Sequence, residues 1–518
     1  MSKKAFRFPS LHKLRSKLVI DGILVGILAG TLSVGYRLML SKLAHIRHSL
    51  YTDKSIFIFI LVILLASYII HRMIKLEPLS SGSGIPQVQG ELLEKIDMDE
   101  KKVLGAKLIG GGFANLVGMS LGREGPSIQI GAAGAKLLAK IMGKDRTERR
   151  YMISAGASAG LSAAFNAPIS AALFALEEIH KNFSALVLIP CLIASVIADF
   201  ISKNIFGLEP AFSFEAIKQL PLDKYYTIII IGIFSGFLGV IFNKVLLKIQ
   251  SFYENLKLPG FFKMLGTLII VGIIGFISYD LLGGGHHLLE SIGAKNLPLK
   301  MILLILIAKL LFTGVSYGSG AQGGIFLPVL VLGGLCGAVT FNILNGFIDI
   351  PQIYYTSFIM IGMSSMMTAV ARSPIISILL VSEMTGSFQY ILALCLASIV
   401  AYVTAELLKD PPIYHSLLDR LLKKYEVEES HEVIRYSEKT MLEYRIPISG
   451  RLVNKKLIDL KWPCEMLIVS IERGSNHFIP HGLDELQAGD LVTIFTAHKN
   501  TSKIDEYFKD SEHDEEEE

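Results

Sequence analysis

Residues 156–178 read GASAGLSAAFNAPISAALFALEE, and residues 362–384 read GMSSMMTAVARSPIISILLVSEM. In both stretches a glycine precedes a proline by 12 positions, and that proline precedes a glutamate by 9. The two glutamates are Glu177 and Glu383, and only the first copy carries a second acid, Glu178. The shared spacing predicts a chain built from two related halves.

Long stretches of the chain carry no charge. Five stretches of 19 to 39 residues lack Asp, Glu, Lys and Arg: 151–176, 225–243, 310–348, 350–371 and 384–405. About 20 apolar residues cross a bilayer as a helix, and only 19% of the chain is charged, against about 25% in soluble domains. We therefore predict an all-α polytopic membrane protein. In a membrane protein with two related halves, a transport site is expected at the interface between the repeats.

Three shorter stretches without charge are 22–36, 108–122 and 125–135. Gly and Pro interrupt many of the apolar segments, and a membrane tolerates broken backbone only inside the protein or beside a cavity. These stretches predict discontinuous helices that stop partway across the bilayer.

The net charge of +4 divides unevenly along the chain. Residues 1–424 hold 39 basic and 25 acidic residues, whereas residues 425–518 hold 11 and 21, giving balances of +14 and −10. Strand-like runs at 467–471, 478–479 and 491–496, with a helical stretch at 455–460, predict a small α/β domain after the membrane segment. We expect five parts, in this order: a cytoplasmic N-terminal segment 1–17, a membrane domain 18–424, a linker 425–435, an α/β domain 436–508 and a disordered acidic tail 509–518.

Basic residues cluster near the N-terminus and in the segment 140–150. Lys and Arg in short loops mark the cytoplasmic side of a membrane protein. The sequence therefore predicts a retained cytoplasmic N-terminus, and the C-terminal domain is expected on the same side.

Three loops share one construction, in which glycine is followed by a proline that opens a helix. They are GSGIP at 82–86, GREGP at 122–126 and GGIFLP at 323–328. The first amides of a helix have no partner within it and carry about half a positive charge together. Three such helix starts that converge in the membrane would bind an anion without a buried lysine or arginine.

Glu124 is the most informative single residue, because it lies between two apolar segments. A carboxylate within a membrane costs about 2.5–3.5 kcal/mol on insertion scales and indicates a functional site. Next to the helix starts, a charged Glu124 would compete with an anion for the binding site. A protonated Glu124 would leave the site, so proton binding would be coupled to anion binding. An ion pair with the adjacent Arg123 is the structural alternative.

Glu177 and Glu178 are a second pair of candidate acids. The repeat aligns Glu177 with Glu383 and so favours an architectural role for Glu177. Glu178 is then free for a functional role.

These motifs resemble the three signature segments of the CLC family of chloride channels and transporters, and the likeness covers about residues 18–424. The resemblance implies the CLC fold, with two inverted repeats and discontinuous helices. A fourth segment, DPPIY at 410–414, resembles the family's terminal ion-facing segment. By this resemblance, chloride is bound by the hydroxyls of Ser83 and Tyr414 and by the amides of Ile325 and Phe326.

The resemblance also separates an exchanger from a channel. Glu124 matches the family's external gating glutamate, and Glu178 matches the internal glutamate that transfers protons. Members with both acids are mostly proton-coupled exchangers, whereas known channels lack the inner acid, so a passive chloride channel of the same fold is the alternative. Ser83 in place of proline argues for chloride over nitrate, and GREGP with Tyr414 argues against the fluoride-exporting branch.

Further expectations follow from the same resemblance. It implies a homodimer in the plasma membrane with one ion pathway per subunit, chloride and protons as the transported ions, no cofactor and no nucleic-acid partner. The segment after the membrane domain does not resemble the paired CBS domains of eukaryotic members, which favours the bacterial type. Residues 436–503 instead resemble the RCK_C, or TrkA-C, ligand-binding domain of potassium-conductance regulators, with AGD at 488–490 as the most specific part. A small ligand that regulates transport is a hypothesis from this likeness.

Two other motifs suggest different chemistry. GMSLG at 118–122 and GVSYG at 314–318 fit the GxSxG pattern of a nucleophilic serine, but that motif requires a strand–turn–helix context. Close helix packing by Gly and Ser is the preferred interpretation, and the pair also extends the repeat. Gly283-Gly-Gly-His286-His287 could suggest a metal site, yet no further ligand lies nearby in the sequence, so we expect an exposed loop. The protein is therefore not expected to be an enzyme.

Overall fold

The computed structural model describes residues 11–52, 56–181, 183–212, 214, 218–295, 297–424, 439–447, 450–474, 476–497 and 500–510. The chain divides into two compact units, Met1–Val427 and Glu428–Glu518. Each unit is described by itself below.

Apart from one isolated β-bridge, the regular secondary structure in the described residues of the first unit is helical. Its α-helices are α1 Leu11–Thr52, α2 Ile56–Leu76, α3 Ile85–Leu92, α4 Glu100–Val117, α5 Glu124–Ile141, α6 Arg146–Phe165, α7 Pro168–Phe174, α8 Ala185–Phe206, α9 Tyr226–Asn255, α10 Gly260–Ile277, α11 His286–Ala294, α12 Leu299–Gly318, α13 Phe326–Asn345, α14 Tyr355–Ala371, α15 Pro374–Thr385, α16 Ile391–Leu407 and α17 Ile413–Lys424. Short 3₁₀ turns lie at Pro78–Ser80, Leu222–Lys224, Tyr279–Leu281, Gln352–Tyr354 and Phe388–Tyr390, and a π-helical turn continues α7 over Ala175–His180. Among the described residues, nine helices are long and apolar enough to cross a membrane, which confirms the prediction of a multi-pass membrane protein.

The two halves repeat the same packing. Helix α5 packs against α6, and α13 packs against α14; likewise α1 packs against α8, and α9 against α16. Helices α1–α8 therefore correspond one by one to α9–α16, and the predicted two-half construction is confirmed. The two halves pack against each other through α2 and α10 and through α7 and α15.

Two glycine pairs allow the closest helix contacts. On α5 and α6, a Cβ added to either Gly131 or Gly156 would overlap the carbonyl oxygen of the other. Gly333 on α13 and Gly362 on α14 have the same relationship. A side chain at any of these four positions would push the helices apart, so the repeat preserves a crossing that only glycine permits.

The apolar stretch 22–36 does not form a helix that stops partway, so that prediction is wrong. It lies within α1, which is 42 residues long. The charged residues at the two ends of this stretch, Asp21 and Arg37, are accommodated because residues of neighbouring loops pair with them. Lys144 lies 2.7 Å from Asp21, and Arg37 donates to Asn166 Oδ1 at 2.7 Å.

Stretches 108–122 and 125–135 do belong to helices that end and begin at a loop. Helix α4 ends at Val117, where Gly118 has φ 96°, and α5 begins at Glu124. The long stretch 310–348 is divided in the same way between α12 and α13. The two loops left between these helices carry two of the three glycine motifs.

The second unit is a small α/β domain. Strands β1 Lys439–Arg445, β2 Met466–Arg473, β3 Asn476–Phe478 and β4 Leu491–Ala497 form one antiparallel sheet in the order β1-β4-β2-β3, followed by α18 Thr501–Asp510. Alternate residues of β4, among them Val492 and Ile494, face the core. The three predicted strands are present, whereas β1 and α18 were not predicted.

The predicted helix at 455–460 is wrong. This segment forms turns and a bridge between Lys456 and Glu485, because Leu457 and Leu486 use their amides for bonds to Asp484 and Lys455 across the two segments. The expected boundary between residues 17 and 18 falls inside α1, and residues 509–510 of the expected tail belong to α18. The linker 425–435 and residues 511–518 lie outside the described residues.

Candidate functional site

The three glycine loops meet in one place. Gly122 and Gly324 exchange two backbone hydrogen bonds, of 2.7 and 2.8 Å, and so tie GREGP to GGIFLP. The amide of Gly323 donates to the carbonyl of Gly82 at 3.0 Å, which adds GSGIP. The helices α3, α5 and α13 that follow these loops therefore begin beside one another.

Each of these helices begins without a side-chain cap. The residues before α3, α5 and α13 are Gly84, Arg123 and Ile325, and none of the three caps its helix through its side chain. The first amides of a helix have no intrahelical partner, so this meeting point concentrates unpaired N–H groups. The prolines stand at the second or third helical position instead of the first. Proline is tolerated there because the amides of the first turn have no partner within the helix, so the missing N–H costs no hydrogen bond.

Glu124 lies at this meeting point and is fully buried. Among the described residues, no side chain donates a hydrogen bond to its carboxyl oxygens, which face the main-chain amides of Leu327 and of Glu124 itself at the helix starts. Its Oε2 occupies the space where a Cβ on Gly122 would stand, and Leu327 lies beside it. Arg123 donates a hydrogen bond to the carbonyl of Ala164 at 3.2 Å, and over the described residues it donates none to Glu124, with which it interacts only electrostatically.

The residues predicted to bind chloride are buried around the same loops. Ser83 is 1% exposed, its Oγ has no partner within the described part of the chain, and a Cβ on Gly125 would collide with it. Ile325 and Phe326 are both fully buried; they are the cap residue and the first residue of α13, directly after the Gly324 bridge. Tyr414, the second residue of α17, is 1% exposed.

Tyr414 lies near both acids of the predicted site, Glu124 and Glu178. It lies within electrostatic reach of both Glu124 and Glu178. Tyr317 lies beside it and packs against Gly82. The structure therefore brings Ser83, Glu124, Ile325 and Phe326 together at the glycine loops, with Tyr414 within electrostatic reach of Glu124. Glu178 is also within reach of Tyr414, and its hydrogen-bond partners are Gln89 and Ser373.

Glu178 is 4% exposed and lies in the π-helical turn after α7. Gln89 Nε2 donates to its Oε1 at 3.0 Å and to its main-chain oxygen at 2.9 Å. Ser373 Oγ donates to Oε2 at 2.6 Å. A π-helical turn rotates the following residues relative to a continued α-helix and is frequent at functional sites. Here the adjacent acids Glu177 and Glu178 contact different partners.

Gln89, Ser373 and a buried lysine are site residues that sequence reasoning missed. Lys107 is fully buried and donates to the carbonyls of Ser80 at 2.9 Å and Gly82 at 2.7 Å, so it holds the loop that carries Ser83. A lysine in the middle of the apolar helix α4 is the signal that could have found it. No comparable signal marks Gln89 or Ser373.

A cavity of about 790 Å³ reaches the glycine loops from one side. Gly82 and Tyr317 are among its lining residues, and Ser83 follows Gly82 in the chain. Its lining includes four basic side chains and one carboxylate, namely Lys263, Arg420, Lys423, Lys424 and Glu254. This balance of charge favours anions.

The serines of the two GxSxG segments face each other. The amide of Ser120 donates to Ser316 Oγ at 3.0 Å, and Ser120 Oγ lies 2.8 Å from Thr313 Oγ1. These contacts join the loop after α4 to α12, as expected for close packing. His286 begins α11, and no group of three or more metal-ligating side chains occurs within the described ranges.

Comparison with known protein families gives two matches. Residues 62–406 match the family described as voltage gated chloride channel. This chain belongs to that family, the CLC proteins. Residues 441–509 match the TrkA-C domain, as the sequence predicted.

Curated relatives are named as exchangers. The chain is 32% identical over 424 residues to the H(+)/Cl(-) exchange transporter ClcA of Salmonella agona, a match that covers 78% of this chain and 89% of the relative. It is 31% identical over 431 residues to the transporter of the same name from Salmonella arizonae, covering 80% and 90%. Both relatives are transporters, which agrees with the expectation of a protein that is not an enzyme.

Solved structures share the fold. A slow cyanobacterial Cl⁻/H⁺ antiporter superposes with a TM-score of 0.73 at 30% identity, covering 79% of this CLC chain and 98% of the antiporter. A CLC-type fluoride/proton antiporter gives a TM-score of 0.66 at 22% identity, covering 79% and 98%, and supports the fold alone. The predicted CLC fold is confirmed.

Proposed function

We propose that this protein is a secondary active transporter that exchanges chloride for protons across the membrane. The observation that carries the proposal is the buried carboxyl group of Glu124, which has no side-chain partner among the described residues and faces main-chain amides where three uncapped helices begin. Such a group competes with chloride for the same amides when it is charged. Once protonated, it releases them. The similarity to proteins named H(+)/Cl(-) exchange transporter supports the same function.

In this proposal, chloride arrives through the large basic cavity and binds beside Gly82. Its ligands are the hydroxyls of Ser83 and Tyr414 and the amides of Ile325 and Phe326. Partial positive charge from helix starts is a moderate attraction that permits release, whereas a bare ammonium would hold the ion tightly. Lys107 acts on the site indirectly by holding the carbonyls of the loop before Ser83.

Protons follow a different route past Glu178. Glu178 is hydrogen-bonded by Gln89 and Ser373, and Tyr414 lies within electrostatic reach of both Glu178 and Glu124. Glu124 exchanges its proton with one side of the membrane, and Glu178 relays protons to and from the cytoplasm. No cofactor takes part, because both transported species are ions that side chains and amides handle directly.

The test is proton movement in proteoliposomes that contain the purified full chain. A chloride gradient should drive protons against their own gradient, and a proton gradient should drive chloride. Chloride flux with no proton movement would refute exchange and leave the passive chloride channel, the alternative for the same fold.

The assembly and its placement are part of the proposal. We expect a homodimer in the plasma membrane with one pathway per subunit and with both termini in the cytoplasm. The C-terminal TrkA-C domain is proposed to bind a small ligand that regulates exchange. If a chain lacking residues 425–518 transports at the same rate and responds identically to candidate ligands, regulation by this domain is refuted.

A further inference from the structure

Tyr414 follows a short connection that has few hydrogen-bond donors of its own. The connection joins α16, which ends at Leu407, to α17, which begins at Ile413. It contains Pro411 and Pro412, and proline has no main-chain N–H group to donate. At these two positions the chain can therefore be fixed only by packing or by donors that reach its carbonyl oxygens and the neighbouring side chains.

Two side chains from elsewhere in the fold donate to this connection. Asn243 Nδ2 donates to Asp410 Oδ2 at 2.8 Å and reaches the carbonyl of Pro411 at 3.4 Å. Arg372 Nη2 donates to the main-chain oxygen of Asp410 at 2.8 Å and lies 4.0 Å from its Oδ2. Arg372 Nε also donates to Glu406 at 3.1 Å. We call Asn243, Arg372 and Asp410 together the Asp410 clamp.

The Asp410 clamp is buried and attached to the core of the membrane domain. Asn243 on α9 is 1% exposed and Asp410 is 8% exposed, and the Arg372 side chain is 5% exposed. Arg372 directly follows α14, all of whose residues are buried. Donors on such closely packed elements have little freedom to follow a moving segment, so the clamp fixes the connection relative to the core.

The first half of the molecule contains the counterpart of these two donors without an acid between them. There, Arg37 Nη1 donates to Asn166 Oδ1 at 2.7 Å. Asn243 and Arg372 lie 206 positions later, which is the offset between the repeated stretches, and Asn166 and Arg372 share a left-handed backbone at φ 56° and 61°. The second half therefore carries the same two residue types with their places exchanged. Asn243 Oδ1 has no partner over the described ranges, and both side chains donate to Asp410 instead of closing a pair.

We propose that Asp410 is a positioning residue for chloride binding, which fixes the Tyr414 hydroxyl at the chloride site through its contacts with Asn243 and Arg372. Tyr414 is the second residue of α17 and lies four residues after Asp410, so a shift of the connection moves it directly. Asp410 itself does not contact the ion. The inference rests on the proposed function in one respect, because it requires that Tyr414 be a chloride ligand.

The test removes the same contact from either side. Asp410→Ala removes the acceptor and Asn243→Ala removes a donor, so the second variant carries the comparison if the first does not fold. Chloride affinity of the purified full chain, measured by isothermal titration calorimetry, should fall roughly five- to tenfold in each, about the effect of one lost hydrogen bond. Asp199→Ala is the matched control, because Asp199 is a buried acid that pairs with Lys203 at 2.7 Å on α8, in the other half; it should leave the affinity unchanged.

The same two changes are then measured in the Tyr414→Phe background. They should alter the affinity there less than about twofold, because the hydroxyl through which they act is absent. Equal weakening in both backgrounds would show that the clamp serves only the fold, and unchanged affinity in Asp410→Ala and Asn243→Ala would show that it does not position Tyr414. Wild-type affinity in Tyr414→Phe itself would show that this hydroxyl is no ligand. Each of these results overturns the inference and leaves exchange intact. A wild-type protein that binds chloride but moves no protons would instead refute the proposed exchange without touching the role of Asp410.

Discussion

Glu177 and Glu383 each cap the helix that belongs to the other's half of the molecule. Glu177 accepts from the amides of Ile375 and Ile376 at 3.3 and 2.9 Å, at the start of α15. Glu383 accepts from the amides of Ile169 and Ser170 at 3.1 and 2.8 Å, at the start of α7. This reciprocal pair fastens the two repeats together through four charge-assisted bonds from main-chain amides, and the Ser170 hydroxyl adds a fifth, to Glu383. The bonds give Glu177 an architectural role.

The first prediction concerns this reciprocal pair. Glu177→Ala and Glu383→Ala should each lower the free energy of unfolding by about 1–2 kcal/mol, the range for a lost helix cap. Thermal unfolding of the purified protein in detergent measures the loss. The protein that remains folded should exchange the two ions in the wild-type ratio. A variant that retains full thermal stability would contradict the architectural role.

Glu178 should behave in the opposite way. Because its side chain caps no helix and lies between Gln89 and Ser373, Glu178→Gln should keep the fold and most chloride flux. Proton movement should fall by at least about tenfold, since glutamine carries no titratable proton. Parallel measurement of both ions in proteoliposomes tests this prediction. Full coupling in Glu178→Gln would show that the proton-transfer role is not at this residue.

The sequence predicted which acid of the repeat is architectural, because the spacing aligned Glu177 with Glu383. It could not predict that Gln89 and Ser373 bind Glu178, since these residues lie 89 and 195 positions away in the chain. Contacts over such separations depend on how helices pack, and a single helix pattern carries no information about them. The three glycine loops could be predicted because each has a local backbone requirement, whereas the bridge between Gly122 and Gly324 could not.

The C-terminal unit shows the same limit. Strand β1, KTMLEYR at Lys439–Arg445, carries three charges and lies at one edge of the sheet, so its apolar alternation is weak. The segment 455–460 looked helical by composition, but pairing with residues 482–486 holds it in turns instead. In both places tertiary pairing outweighed local preference.

Glu124→Gln should uncouple the two ions. Glutamine is neutral at every pH and cannot compete with chloride for the helix amides as a carboxylate does. We expect chloride flux to continue while chloride-driven proton movement disappears, measured together in proteoliposomes. If Glu124→Gln still moved protons against their gradient, another residue would have to be the group that exchanges the proton.

Ser83→Ala tests the chloride ligands. The Ser83 hydroxyl has no partner among the described residues, so its removal should leave stability nearly unchanged and weaken chloride binding roughly five- to tenfold. Isothermal titration calorimetry measures the affinity. Ser195→Ala is the matched control, because Ser195 also has a buried, unpartnered Oγ over the described ranges but lies on α8 away from the glycine loops. Equal affinities in both variants would remove Ser83 from the chloride site.

The last prediction concerns the stability of the C-terminal unit at low pH. Asp490 is fully buried, and burial disfavours its charged form. Arg473 donates hydrogen bonds to its two carboxylate oxygens at 2.8 and 2.7 Å, and the Gln487 amide donates another at 2.8 Å. These bonds outweigh burial and lower the pKa of Asp490 below the usual 3.8. A carboxyl group with a lowered pKa stabilises the fold above its unfolded pKa, and this contribution is lost as pH falls through the folded value. The unit should therefore lose stability below about pH 4.

Trp462, the single tryptophan of the chain, reports on this unit without interference from the membrane domain. Its fluorescence during denaturant unfolding of the full chain should show a midpoint that falls between about pH 4 and pH 2 in the wild type. Asp490→Asn should be less stable at pH 7 by about 1–3 kcal/mol and should lose less stability than the wild type over the same interval. Asp459→Asn, a change outside the Arg473 pair, should retain the wild-type dependence. Parallel pH curves for wild type and Asp490→Asn would show that the Arg473–Asp490 pair does not govern the acid sensitivity, since the variant has no carboxyl group to protonate at this position.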